Sequence, residues 1–228
     1  MAVDLHLFST PGENDICYIV EACHPYLEGR PDAMLAYLPL ASLYAERWLE
    51  DNQRSFRGLA RLETINTELM TLPEMEDILR RAALVYITGG NTFLLNHRLH
   101  ISNLISYLRK KVLAGLPVVA FSAGTVLCGP NILTSNDINV VPTTYFKGLE
   151  ATSFNFNVHY PDDPLARANK DAWLSDYHVF HDNPVIMLSD GASLRVNGRK
   201  TTLMGGEAWI LRKDQEKQKI EPGVLLSA

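Results

Sequence analysis

Apolar residues in the first 130 positions fall into short continuous runs separated by amphipathic stretches. Leu5-His6-Leu7-Phe8, Ala33 to Leu38, Arg61 to Asn66, Leu84 to Ile87 and Val118 to Phe121 predict strands. Between them, Ile16 to Cys23, Leu43 to Gln53, Met75 to Arg81 and Leu94 to Ala114 predict helices. In the last of these, Leu99, Leu104, Ile105, Leu108 and Val112 recur near helical spacing. Strands without internal alternation are buried on both faces, as in a parallel sheet with helices on either side. The expected fold is therefore α/β, a doubly wound and mostly parallel sheet. Ligands of such sheets bind beyond the C-terminal ends of the strands. Two polar, glycine-bearing segments fall at such ends: Thr88-Gly89-Gly90 and Phe121-Ser122-Ala123-Gly124.

After Pro130 the pattern changes. Ile138 to Val141 and Phe154 to Val158 alternate apolar and polar residues, and Pro164 to Tyr177 reads as a helix. Val185 to Leu188 is a further strand, Ser193 to Val196 followed by Asn197-Gly198 is a hairpin signal, and Ala208 to Leu211 is a short strand. No repeat, low-complexity tract or linker interrupts the chain, so one domain over residues 1–228 with a β-rich C-terminal half is expected.

Composition narrows the classes without choosing among them. The chain is 46% hydrophobic and 21% charged, which suits a globular protein with a sizeable core. A net charge of -5, with Arg109-Lys110-Lys111 as the densest basic run, argues against nucleic acid as a partner. No apolar run is long enough to span a membrane, and Met1 to His6 carries no signal-peptide pattern. Cys17, Cys23 and Cys128 lack metal-ligand spacing and read as reduced thiols of a cytoplasmic protein.

The chemistry lies at the end of the strand Val118 to Phe121. Ala120-Phe121-Ser122-Ala123-Gly124 is a small-x-Ser-x-Gly turn between a strand and a helix. Such a turn lifts the serine out of the sheet, the logic of a nucleophile elbow. The Ala123 amide, at the start of the helix, is a candidate oxyanion donor. Consecutive glycines let a backbone approach a ligand closely, which makes the Gly90 amide the candidate second donor. The spacing around Gly89-Gly90-Asn91-Thr92 does not fit a phosphate-binding loop.

A nucleophilic serine needs a base, and the base needs an orienting acid. Of seven histidines, His6, His24, His97, His100, His178 and His181 sit in a strand, in loops or on a polar helical face. His159 ends the strand Phe154 to Val158 and precedes Tyr160-Pro161, where a rigid scaffold can aim a side chain. For the acid, Asp190 follows the strand Val185 to Leu188 and precedes Gly191. Asp137, in the turn-like Thr134-Ser135-Asn136-Asp137, is the alternative.

These segments together resemble the peptidase E family of serine peptidases, the aspartyl dipeptidases. The resemblance is carried by Tyr86 to Phe93, Gly115 to Gly124, Asn157-Val158-His159-Tyr160 and Leu188-Ser189-Asp190-Gly191, in that order, and more loosely by Met34 to Ser42. It implies a fold like the class I glutamine amidotransferases, with Ser122 as nucleophile, His159 as base and Asp190 in the place of a family glutamate. Asp137 matches another family aspartate. Two departures stand out. Asp190 is one methylene shorter than glutamate, and Lys170 occupies the place where the family uses an arginine for N-terminal aspartate, with Arg167 one turn away. Lysine is a point charge and does not reproduce bidentate carboxylate binding.

The function so implied is hydrolysis of small peptides, dipeptides of the Asp-X kind, by a Ser-His-Asp triad without metal or organic cofactor. Lys170, Arg167, Asn91 and Asp137 are the candidate substrate-binding residues. The expected partner is a small peptide, with a homodimer left open. The alternatives are an isopeptidase of the cyanophycinase type and a non-catalytic binding protein on the same scaffold.

Overall fold

The computed structural model describes residues 2–12, 16–30 and 32–226. Met1 and residues 227–228, the ends of the expected domain span, lie outside the described residues.

In chain order the first half contains β1 (Asp4–Phe8), α1 (Cys17–Leu27), β2 (Met34–Leu38), α2 (Glu46–Ser55), β3 (Arg61–Thr64) and α3 (Leu72–Arg81). It continues with β4 (Leu84–Ile87), α4 (Thr92–Ile101), α5 (Leu104–Leu113), β5 (Val118–Phe121) and α6 (Ala123–Leu127). The five strands pair in parallel in the order β3-β2-β4-β5-β1. Every residue of β2 and β4 is buried, which is why their sequences do not alternate. The two-residue strand period still separates the faces. Leu35, Tyr37 and Tyr86 pack against Ile19, Cys23 and Leu27 of α1. Ala36, Leu38, Val85 and Ile87 point the other way, towards Leu79 of α3, Leu95 of α4, Leu108 of α5 and Val126 of α6. The sheet is thus covered on both sides, as the alternation of strands and helices predicts.

The second half comprises β6 (Asn155–Asn157), α7 (Pro164–Phe180), β7 (Val185–Leu188), β8 (Ser193–Asn197), β9 (Lys200–Gly205), β10 (Ala208–Leu211), β11 (Gln218–Ile220) and β12 (Leu225–Leu226). The β8–β9 hairpin joins antiparallel to β1, and β12 extends it, giving an eight-stranded sheet. The remaining strands form a second, four-stranded sheet in the order β11-β10-β7-β6. The C-terminal strands therefore divide between two sheets, a partition that no local pattern encodes.

Several elements differ from their sequence-based expectation. The helix expected over Leu94 to Ala114 is two helices, broken at Asn103, whose φ of 60° is left-handed. Asparagine tolerates that conformation, and Ser102 Oγ donates back to the Arg98 carbonyl at 2.7 Å. Ile138 to Val141 pairs with no strand among the described residues, and Ile138 and Val140 are exposed. Alternation without a neighbouring edge does not make a strand. α1 runs past Cys23 through Pro25 to Leu27. α3 begins earlier than expected, because Thr71 and Glu74 form a capping box with Pro73 in the first turn. His178, expected in a polar loop, is buried within α7, which continues to Phe180 before Pro184 can stop it. No helix of the described residues is long and apolar enough to cross a membrane.

Candidate active site

The strand ends of the two sheets converge on Ser122. This residue joins β5 to α6 with φ 51° and ψ -116°, a conformation that costs a non-glycine residue about 1–3 kcal/mol. Its surroundings hold it there. The Ser122 N–H donates to the Phe8 carbonyl at 3.0 Å, and the Ser122 carbonyl accepts from Val126 N–H at 3.1 Å. Thr125 Oγ1 donates to the same Phe8 carbonyl at 2.8 Å.

The loop after β4 presses on this turn from one side. A Cβ at Gly89 would lie 2.5 Å from the Phe121 ring and 2.9 Å from Ser122 Cβ, so only glycine permits the approach. Gly90 has φ 133°, and a Cβ there would sit 2.4 Å from the Ala41 carbonyl oxygen. That oxygen accepts the Asn91 N–H at 2.8 Å and does not move freely. Gly90→Ala is expected to destabilise the fold by about 2–4 kcal/mol through backbone strain and overlap, read as a lower urea midpoint with an unchanged slope. An unchanged midpoint would mean that the loop is looser than its contacts imply. The N–H groups of Gly90 and Ala123 have no backbone acceptor among the described residues.

His159 follows β6 and also has a positive φ, 54°. Its Nε2 lies 2.9 Å from Ser122 Oγ, and its Nδ1 lies 2.6 Å from Asp190 Oδ1. An ionised carboxylate only accepts hydrogen bonds, so Nδ1 carries the proton and Nε2 is left to accept from the serine hydroxyl. The Asp190 loop is pinned on both flanks. Tyr160 N–H donates to the Leu188 carbonyl at 2.8 Å, and Ser189 N–H donates to the Glu207 carbonyl at 3.0 Å. The pair is open to solvent: the side chains of His159 and Asp190 are 42% and 67% exposed. A cavity of about 770 Å³ opens beside the elbow, lined by Tyr37, Trp48, Tyr86, Gly89, Gly90 and Phe121 among others. Cys128, just beyond α6, is fully buried. Burial pushes its thiol up to about 12, in keeping with a packing group.

The other candidates are placed less directly. Asp137 Oδ2 accepts from the Thr92 N–H at 2.7 Å, Thr92 Oγ1 at 2.6 Å and Ser135 Oγ at 3.0 Å. Its carboxylate holds the first turn of α4 and makes no hydrogen bond to His159. Asn91 caps the same helix, accepting from Leu94 N–H at 3.0 Å while its amide donates to the Ile138 carbonyl at 2.9 Å. Arg167 is engaged by groups outside the Ser122–His159–Asp190 set. It donates to the Pro161 carbonyl, pairs with Asp162 at 3.1 Å and lies over the Trp209 ring.

Lys170 differs from Arg167. Its Nζ donates to Asn136 Oδ1 and lies 4.8 Å from the centre of the Trp173 ring, and no carboxylate pairs with it among the described residues. Burial lowers its pKa from the ordinary lysine value. Asn136 in turn donates to the carbonyl of Val158, the residue before His159, at 2.6 Å, and accepts from Asn157 Nδ2 at 2.7 Å. Sequence reasoning missed Asn136. It lay inside a stretch read only as a turn, and nothing in its spacing pointed to a lysine on a later helix.

Comparison with known proteins places the chain in a family. Residues 9–204 match the model of Peptidase family S51, a span that holds Ser122, His159 and Asp190. A protein of Drosophila melanogaster named "Probable alpha-aspartyl dipeptidase" is 36% identical over 160 residues, covering 68% of this chain and 67% of the fly protein. Peptidase E of Streptomyces coelicolor is 30% identical over 214 residues, covering 89% of this chain and 88% of its own. The crystal structure of a peptidase from an acI-B1 Actinobacterium superposes with a TM-score of 0.75 over all of this chain and 98% of that one. At 17% identity, that likeness speaks for the fold. With the elbow, the histidine and the aspartate all inside the matched span, the chain belongs to peptidase family S51.

Proposed function

We propose that this chain is a serine dipeptidase that cleaves Asp-X dipeptides, with Ser122 as nucleophile, His159 as base and Asp190 as the orienting acid. The observation that carries the reading is the continuous path from Ser122 Oγ through both ring nitrogens of His159 to Asp190 Oδ1. Ser122 Oγ attacks the scissile carbonyl while its proton passes to His159 Nε2. Asp190 stabilises the imidazolium so formed. The carbonyl oxygen gathers negative charge and is met by the N–H groups of Gly90 and Ala123. When the tetrahedral intermediate collapses, the C–N bond breaks and Nε2 gives its proton to the leaving amine. In the second half His159 Nε2 takes a proton from water as its oxygen bonds to the acyl carbon; the ester C–O bond to Ser122 then breaks and Nε2 returns the proton to Oγ.

An acidic first residue needs a cation, because a carboxylate removed from water without a partner is costly. Lys170 supports that role better than Arg167. It is half-buried, has no carboxylate partner among the described residues, and is tied through Asn136 to the backbone beside His159. Arg167 already meets the Pro161 carbonyl and the Asp162 carboxylate, with the Glu207 carboxylate at 3.8 Å.

The test is turnover of Asp-X, Glu-X, Asn-X and neutral dipeptides by the wild type and by Lys170→Met. The expected result is a preference for Asp-X that falls about 10- to 100-fold in kcat/KM in the variant. This is less than for a fully buried pair, because water reaches the site. Asn-X turnover should change little. Equal losses on all substrates would remove Lys170 from recognition, and no turnover of any dipeptide by the wild type would overturn the proposal.

A further inference from the structure

We propose that Ser9 is a positioning residue that clamps the His159–Asp190 pair to the strand that also holds Ser122. The inference rests on the reading of Ser122, His159 and Asp190 as the reacting set. In the sequence Ser9 is merely the first residue of a turn after β1. In the fold it is completely buried and lies between two loops that come from the other sheet. Its Oγ accepts the His159 N–H at 2.9 Å and donates to Asp190 Oδ1 at 3.2 Å, with the Leu188 carbonyl at 3.4 Å as a weaker acceptor. Asp190 Oδ1 is the same oxygen that accepts His159 Nδ1–H. One hydroxyl therefore fixes the backbone of the base and the reacting oxygen of the acid together.

The neighbours of Ser9 extend the clamp. The Phe8 carbonyl accepts from Ser122 N–H and Thr125 Oγ1. Ser9 N–H donates to the Ala192 carbonyl at 3.0 Å, and Thr10 Oγ1 accepts from Gly191 N–H at 3.1 Å. Three consecutive residues thus reach the serine turn, the histidine and the aspartate loop. The need for such a frame is physical. His159 and Asp190 stand on the four-stranded sheet and Ser122 on the eight-stranded one, so the 2.9 Å contact between Oγ and Nε2 depends on how two sheets meet. The Asp190 side chain is mostly exposed, and an exposed carboxylate samples several rotamers unless something holds it. A neutral hydroxyl can do this without competing for the charge that develops on the imidazole. A misplacement of about an ångström in such a constellation costs on the order of 10²-fold in rate.

The experiment compares the wild type, Ser9→Ala and Ser9→Cys by steady-state kinetics on an Asp-X dipeptide and by proton NMR of the His159 Nδ1–H. That resonance is assigned by its loss in His159→Gln. Ser9→Ala is expected to lower kcat by about 10- to 100-fold, the size of one lost hydrogen bond to a charged group, with KM nearly unchanged. The Nδ1–H resonance should move upfield and broaden. Ser9→Cys, a near-isosteric but weaker donor, should fall between the two, and it carries the same comparison if Ser9→Ala does not fold. Unchanged kcat, or a loss of kcat with an unmoved resonance, would overturn the clamp. Hydrolysis surviving in Ser122→Ala while the resonance still shifts in Ser9→Ala would defeat the reaction assigned above and leave the clamp standing.

Discussion

Ser122→Ala is expected to lose on the order of 10⁶ in kcat on Asp-X dipeptides, as happens when an activated serine is removed from a working triad. The fold should survive. The positive φ at Ser122 is held by backbone hydrogen bonds to the Phe8 carbonyl and from Val126 N–H, which alanine keeps, and the turn is as strained with alanine as with serine. Removing the hydroxyl orphans no buried group, since the His159 ring is 42% exposed and water can meet Nε2. His159→Ala should be nearly as damaging, and the double variant no worse than either, because the two act as a unit. A fluorophosphonate should label the wild type once, at Ser122, and leave Ser122→Ala unlabelled. Substantial hydrolysis by purified Ser122→Ala, free of host peptidases, would defeat the assignment.

Asp190→Asn should cost less, about 10²- to 10³-fold in kcat. A buried triad aspartate is worth about 10⁴, because its amide replacement traps the imidazole in the wrong tautomer. Here the carboxylate is 67% exposed, so water can accept Nδ1–H and restore part of the working tautomer. Asp137→Asn should behave in the opposite way. Its carboxylate accepts three hydrogen bonds at the start of α4, and weakening them should lower stability by about 1–3 kcal/mol while kcat stays within about tenfold of the wild type. Measuring kcat and the urea midpoint for both variants separates the two carboxylates. A stable, inactive Asp137→Asn beside an active Asp190→Asn would exchange their roles.

Much of the first half was legible from local pattern. The runs Ala33 to Leu38 and Leu84 to Ile87 read as buried strands because a parallel sheet covered by helices buries both faces. The Ser122 turn was legible because a tight strand-to-helix junction demands small neighbours. His159 stood out because it ends a strand just before Tyr160-Pro161. Other features were not legible. The break at Asn103 depends on one left-handed residue inside an otherwise helical pattern. The apolar–polar alternation at Ile138 to Val141 meets no strand edge. α7 swallowed His178 because its stop signal, Pro184, lies several residues further on.

By itself, then, the sequence determined the doubly wound parallel half and the turn that carries Ser122. It also marked the strand ends where chemistry gathers. These depend on burial period and on backbone preferences within a few residues. Only the tertiary structure decided which carboxylate faces His159, which amide receives Lys170, and that Ser9 touches both base and acid. Those contacts join residues 31, 34, 150 and 181 positions apart. They follow from how the C-terminal strands divide between two sheets and how those sheets meet. Neighbouring residues do not encode that arrangement, because it is the packing of the whole chain that selects it.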